Sequence, residues 1–193
     1  MARPKKSELD AAAINKIENA FWTLLEKTSY SEITVSMICL EAEVNRNSFY
    51  YHYENIDDLA QKAFKGTVNQ DLVKEFLGSI TTLSKDTSIA SKLQDLPQFY
   101  HVLLCAGCDS PFINKLTREL FKEVWFSSLS IDENKLSPKE QLEIEFLFSG
   151  LIAVLGSDNI RNNPKTMSVL PTTEIGQCAI KTLKRIAKEQ QQI

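Results

Sequence analysis

The chain has 193 residues, 43% hydrophobic and 24% charged, with a net charge of −3. This balance excludes a disordered or collagen-like chain and fits one globular domain or two small ones. The longest nearly uncharged apolar run, Phe146 to Gly156, is too short to cross a bilayer, and the basic start Met-Ala-Arg-Pro-Lys-Lys leads into polar residues rather than an apolar signal segment.

A cytoplasmic protein with no membrane partner is therefore expected. Four cysteines in such a compartment read as free thiols, and the only histidines are His52 and His101, which argues against a histidine-rich metal centre. There is no nucleophile elbow, dinucleotide fingerprint, P-loop or zincin motif. No enzyme, metal or cofactor is expected.

In chain order, a first helix begins at Ser7, with Asp10 as a capping partner. Ile14, Ile17, Phe21, Leu24 and Leu25 recur at helical spacing until Thr28 to Ser31 ends it. Thr34 caps a short second helix with Val35, Ile38, Cys39 and Ala42 facing inward, and a turn at Glu43-Val44 follows. Asn45 caps a third helix in which Phe49 and Tyr53 pair at i,i+4 on the buried side. Arg46, Asn47, Ser48, Tyr50, Tyr51 and His52 are then left on or near the exposed side. Asn55 caps a fourth helix, with Asp58 at its third position and Leu59, Ala63, Val68, Leu72, Phe76 and Leu77 as its apolar members.

The Ser/Thr-rich stretch from Gly78 to Ser91 reads as a loop or broken helix. Pro97 and Pro111 each sit in the first turn of a helix, reaching about Leu104 and Ser128. Ser137-Pro138-Lys139-Glu140 is a helix start with N-cap, proline and capping glutamate, opening a helix to about Gly156. A polar loop from Ser157 to Pro171 precedes a last helix, Thr172 to about Gln190. No strand-like alternation persists, so the fold class is all-α.

Three tyrosines, an arginine, a histidine and two small polar groups on the two turns from Arg46 to Tyr53 suit a surface pressed against DNA better than a protein core. Charge does not announce this, since residues 1–53 hold six basic and seven acidic side chains. Phosphate contacts need local cations and amide donors, however, not a basic average. Arg3, Lys5 and Lys6 form a basic arm, and Arg46 opens the third helix.

The order T-V-x-x-I-x-x-x-A-x-V-x-x-x-x-F-Y-x-H-Y, from Thr34 to Tyr53 and continuing into Leu59, resembles the TetR family of transcriptional regulators. The resemblance covers about the first quarter of the chain. It implies a three-helix DNA-binding unit with a helix-turn-helix (residues 1–54) and a helical effector-binding and dimerisation domain (55–193). By the same resemblance Thr34 caps the motif and touches a phosphate, Arg46, Asn47 and Ser48 reach base edges, and Tyr50, Tyr51 and His52 contact the DNA backbone. Glu43 departs from the family's usual turn glycine, Cys39 from its alanine, and Ile56 from a lysine at the start of the fourth helix. The implied function is a repressor bound as a homodimer to a palindromic double-stranded operator and answering to a small-molecule or protein effector. The alternative is a helical co-regulator with weak or no DNA binding of its own.

Tyr100, His101, Leu104, Phe121 and Trp125 form a candidate effector pocket, since aromatics at this spacing either pack a core or line a void between helices. Cys105-Ala-Gly-Cys108 is a lone C-x-x-C without a second pair; two packed thiols are the simpler reading, with a redox or metal switch as the alternative. Leu142 to Leu155 is apolar nearly all round. With Ile175, Ala179, Leu183 and Ile186 of the last helix it is expected to form the dimer surface, where Gly150 allows close approach. Lys181, Lys184, Arg185 and Lys188 read as a solvated face.

Overall fold

The computed structural model describes residues 6–67, 101, 104–163, 166, 169–170 and 172–191. Among these residues every regular element is helical. The expected loop at residues 78–91, most of the helix opened by Pro97 and the later part of the fourth helix lie outside them. The described residues form two units, one holding the chain up to Thr67 with Cys108–Ile113, the other the rest.

The first unit contains α1 (Lys6–Leu25), a 3₁₀ turn (Tyr30–Glu32), α2 (Val35–Glu41), α3 (Arg46–His52) and α4 (Ile56–Thr67). Its core is built by one face of each helix: Ile17, Phe21 and Trp22 of α1, Ile38 and Cys39 of α2, Phe49 of α3, and Leu59, Ala63 and Phe64 of α4 are all buried. The apolar face of α4 thus belongs to the core of this unit. The rings of Phe21 and Tyr30 meet edge-on at 6.4 Å, and the Tyr30 hydroxyl donates to the Asp57 carboxylate at the start of α4. Phe112 stacks on the other side of Tyr30 at 6.4 Å, so this unit also includes the short segment around residue 112.

The second unit contains most of α5 (Pro111–Leu129), then a 3₁₀ turn (Glu133–Lys135), α6 (Pro138–Leu155), α7 (Asp158–Asn162) and α8 (Glu174–Gln191). Val124, Trp125 and Phe126 of α5 pack with Ile144 and Phe148 of α6 and with Leu183, Ile186 and Ala187 of α8. A neighbouring cluster joins Ala106, Ile152, Leu155 and Ile160. Polar ties fix the ends of this bundle. The Gln190 side chain donates to the Asp132 carbonyl at 3.0 Å and accepts from the Asp132 amide at 2.8 Å, and Arg185 bridges Glu143 at 2.5 Å and Glu189 at 2.9 Å.

Two expectations are corrected here. The polar stretch after Gly156 is not all loop: Ser157 accepts from the Ile160 amide and starts α7, whose Ile160 is buried. Leu183 and Ile186 do not face a partner, because the apolar side of α8 turns into the core of its own chain. Lys181, Lys184 and Lys188 lie on the opposite, exposed side as expected, whereas Arg185 is half-buried in its two ion pairs.

The start of α6 follows the sequence signal closely. The Ser137 hydroxyl accepts from the Glu140 amide at 3.4 Å and the Glu140 carboxylate accepts from the Ser137 amide at 2.7 Å, a reciprocal capping box with Pro138 in the first turn. The end of α6 depends on close approach, since a Cβ on Gly156 would sit 2.3 Å from the carbonyl oxygen of Ala106. Gly156→Ala is therefore expected to destabilise the chain by about 1–3 kcal/mol, and Ser137→Ala by about 1 kcal/mol, both read from denaturant midpoints. The Ser137 hydroxyl and amide hold the Glu140 carboxyl below the usual glutamate range. A lowered folded value means the cap's ionic contribution is present above the unfolded value and is lost as pH falls from about 4 through the folded one.

Candidate nucleic-acid interface

α2 and α3 are each seven residues long, too short to persist without help, and each is held by a side-chain cap. The Thr34 hydroxyl accepts from the Met37 amide at 3.3 Å, and Asn45 Oδ1 accepts from the Ser48 amide at 2.8 Å. Between them α2 closes in a Schellman turn: the Val44 amide donates to the Cys39 carbonyl at 3.0 Å and the Glu43 amide to the Leu40 carbonyl at 3.2 Å. The residue after the C-cap in such a turn is left-handed, and Glu43 has φ 54°. The glycine missing from this position thus has a structural meaning, since the turn forms as it would with glycine but at a conformational cost.

α3 is seated from below. Phe49 and Tyr53 are buried with ring centroids 5.7 Å apart, and the Tyr53 hydroxyl donates to Glu18 Oε1 of α1 at 3.1 Å. Burial, then the neighbouring Glu18 carboxylate, push the Tyr53 phenol well above the usual tyrosine range, so it stays a neutral donor. At the far end Lys62 of α4 reaches the His52 carbonyl at 3.1 Å and Asp58 at 2.9 Å, placing a cation on the last carbonyls of α3. The Asp58 carboxylate also accepts from the Glu54 amide at 3.0 Å while Asn55 Oδ1 accepts from the Asp58 amide at 2.9 Å, which fixes the α3–α4 turn.

With Phe49 and Tyr53 pointing in, the opposite side of α3 is presented to solvent. Tyr50 and Tyr51 are 56% and 63% exposed, large values for aromatic side chains on a helix this well anchored. Thr34, Arg46 and Asn47 are exposed as well, and Ser48 and His52 are half-buried at the edges. The Arg46 guanidinium donates to the Ser36 hydroxyl of α2, so both helices of the motif contribute to one surface. Ser36 and Lys62 are the participants that sequence reasoning missed; their roles depend on contacts between helices, which no spacing within a helix reveals.

The chain resembles a helix-turn-helix regulator of transcription. Over 121 residues, 61% of this chain, it is 28% identical to YxbF of Bacillus subtilis (strain 168), described as an uncharacterized HTH-type transcriptional regulator. The match covers 30% of YxbF, so the similarity spans less than a third of that relative. Among solved structures, the TetR family repressor AlkX from Dietzia sp. strain DQ12-45-1b, implicated in biodegradation of n-alkanes, aligns over 93% of this chain and 96% of its own, with 16% identity and a TM-score of 0.33. No protein-family model matches the chain. No described helix is long and apolar enough to cross a membrane.

Four of the expected effector residues, His101, Leu104, Phe121 and Trp125, are described, all in the second unit. Tyr100 lies outside the described residues, and His101 and Leu104 are half-buried ahead of α5. Trp125 is buried edge-on against Phe148 at 5.8 Å, filling the core rather than lining a void, while Phe121 is half-buried beside it. A cavity of about 440 Å³ lies between the end of α6, α7 and the residues Thr166, Val169, Leu170 and Thr173. Cys39, Cys105, Cys108 and Cys178 form no disulfide, and Cys105 is fully buried. Burial raises the Cys108 pKa, which keeps it a thiol and works against a reactive thiolate.

The strained turns give a direct prediction. Left-handed backbone costs a non-glycine residue about 1–2 kcal/mol, offset by roughly 0.4–1 kcal/mol for the extra freedom of unfolded glycine. Glu43→Gly should therefore raise stability by about 0.5–1 kcal/mol, seen as a higher denaturant midpoint at unchanged slope. Ser130, at φ 56° in a second Schellman turn after α5, should respond alike.

Proposed function

We propose that the chain is a transcriptional repressor that binds a palindromic double-stranded operator as a homodimer, with α3 of each copy in the major groove. The observation that carries this reading is the outward row Arg46, Asn47, Tyr50 and Tyr51 on a helix whose inner side is locked by Phe49 and Tyr53. A helix held rigidly from beneath, with a guanidinium and an amide at its start and phenols along its length, has the donors for base edges and phosphates that a recognition helix needs. Thr34, Ser48 and His52 stand at the rim of the same surface, where backbone phosphates would pass.

Dimerisation is supported by α6. Leu142 and Phe146 are 73% and 78% exposed, and with Ser149, Gly150 and Ala153 they follow one helical face, opposite the buried row Ile144, Phe148, Ile152 and Leu155. A Cβ on Gly150 would meet nothing within 4 Å, leaving room for a second helix to approach. An apolar row of this kind in water favours a partner, and in a two-fold dimer the same row serves both copies. An effector on the second unit would release DNA by binding more tightly to the form that spaces the two α3 helices wrongly.

A second reading, a co-regulator that docks on another protein, draws on the exposed carboxylates Glu41, Glu43, Glu54 and Asp57 close to α3 in sequence and on the absence of a lysine at Ile56.

Fluorescence anisotropy with a palindromic duplex selected by the protein separates these readings. Arg46→Ala is expected to weaken binding by about 1–3 kcal/mol with relaxed base preference, and Tyr50→Ala by about 1 kcal/mol regardless of sequence. Equal affinity of all three proteins would remove α3 from the interface, and no binding at low salt would favour the co-regulator. In sedimentation the chain should run as a dimer, and Phe146→Asp as a folded monomer; a monomeric parent chain would contradict the dimer.

A further inference from the structure

We propose that the cleft between the end of α6, α7 and the residues Thr166, Val169, Leu170 and Thr173 is a binding site for a small, uncharged, mainly apolar molecule. Its volume, about 440 Å³, lies in the range of small-molecule pockets, roughly 300–1,000 Å³. Ala153, Val154, Ile160, Val169 and Leu170 give it apolar walls, and Ile160 is itself almost fully buried, so the floor of the cleft is continuous with the core.

The polar lining decides the ligand's chemistry. Among the described residues, none of the lining side chains is ionisable. Two hydroxyls are already committed: Ser157 Oγ donates to the Val154 carbonyl at 2.7 Å, and Thr173 Oγ1 donates to the Leu170 carbonyl at 2.7 Å and accepts from the Gly176 amide at 3.1 Å. The nearest charges on α7, Asp158 and Arg161, neutralise each other in an ion pair. Among the described lining residues, the amide of Asn159 and the hydroxyl of Thr166 are left for a ligand. Such a wall penalises a carboxylate or an ammonium, which would lose hydration and gain no counter-charge, and accepts a hydroxyl, ketone or ester at one end of an apolar body. As an effector site the cleft rests on the regulator reading above; as a binding site it stands apart from it.

Titration of the full chain with the neutral fluorophore N-phenyl-1-naphthylamine tests the assignment. Saturable binding is expected, with displacement by 1-decanol and at least about tenfold weaker displacement by decanoate at pH 8. Asn159→Trp, at an exposed helix position, should weaken the probe at least about tenfold while leaving the melting temperature unchanged. Phe146→Asp should leave probe binding as it is. Loss of binding in that variant would move the probe to the apolar row on α6, and tighter binding would mean that a second copy covers the cleft; either result overturns the proposal, as does equal displacement by decanoate or no saturable binding. Retention of the selected duplex is scored in the same samples. A chain that holds DNA but not the probe loses only the cleft, and one that holds the probe but not DNA loses only the regulator reading.

Discussion

The DNA binding proposed for this chain depends on how α3 is seated. Seven residues make a helix that cannot persist alone in water. Its order comes from the Phe49 and Tyr53 rings buried against the other helices and from the hydrogen bond between Tyr53 and Glu18. The Tyr53 contact works only while the phenol keeps its proton, and its raised pKa ensures that at any physiological pH. With the inner face fixed, the side chains of Arg46, Asn47, Tyr50 and Tyr51 are held on the outer face at little entropic cost on binding. Lys62 adds to this from α4 by bonding the last turn of α3 and the Asp58 carboxylate together.

The turn ahead of α3 shows a local conflict resolved by its surroundings. Glu43 is a poor residue for a left-handed conformation, yet the Schellman hydrogen bonds from Val44 and Glu43 are both made. Burial of Ile38, Cys39 and Phe49 around the turn outweighs the strain of one residue. A glutamate here also leaves a negative charge in the motif itself, which bears on affinity for a polyanion rather than on the fold.

Helix starts and inward faces were largely legible in the sequence, because caps and 3.6-residue spacing are local. Thr34, Asn45, Asn55 and Ser137 cap as read, and Phe49 and Tyr53 turn inward as read. What failed were statements about which surface meets which. The apolar side of α8 was expected to join a partner and instead fills its own core with Leu183 and Ile186, since periodicity marks an apolar face without saying what covers it. The same blindness hid the Arg46–Ser36 bond, the close packing of Gly156 on Ala106, and the cleft beside α7. Tyr100, one of the expected effector residues, lies outside the described residues, while Trp125 turns out to be packing.

The most direct test of the central claim is selection of duplexes from random DNA at low salt, followed by reading the enriched sequence. The account predicts a palindrome whose half-sites are centred about one helical turn, or a whole multiple of it, apart, with enrichment that falls as salt rises. A pool that stays random, or enrichment that persists when Arg46 and Tyr50 are both replaced by alanine, would contradict it.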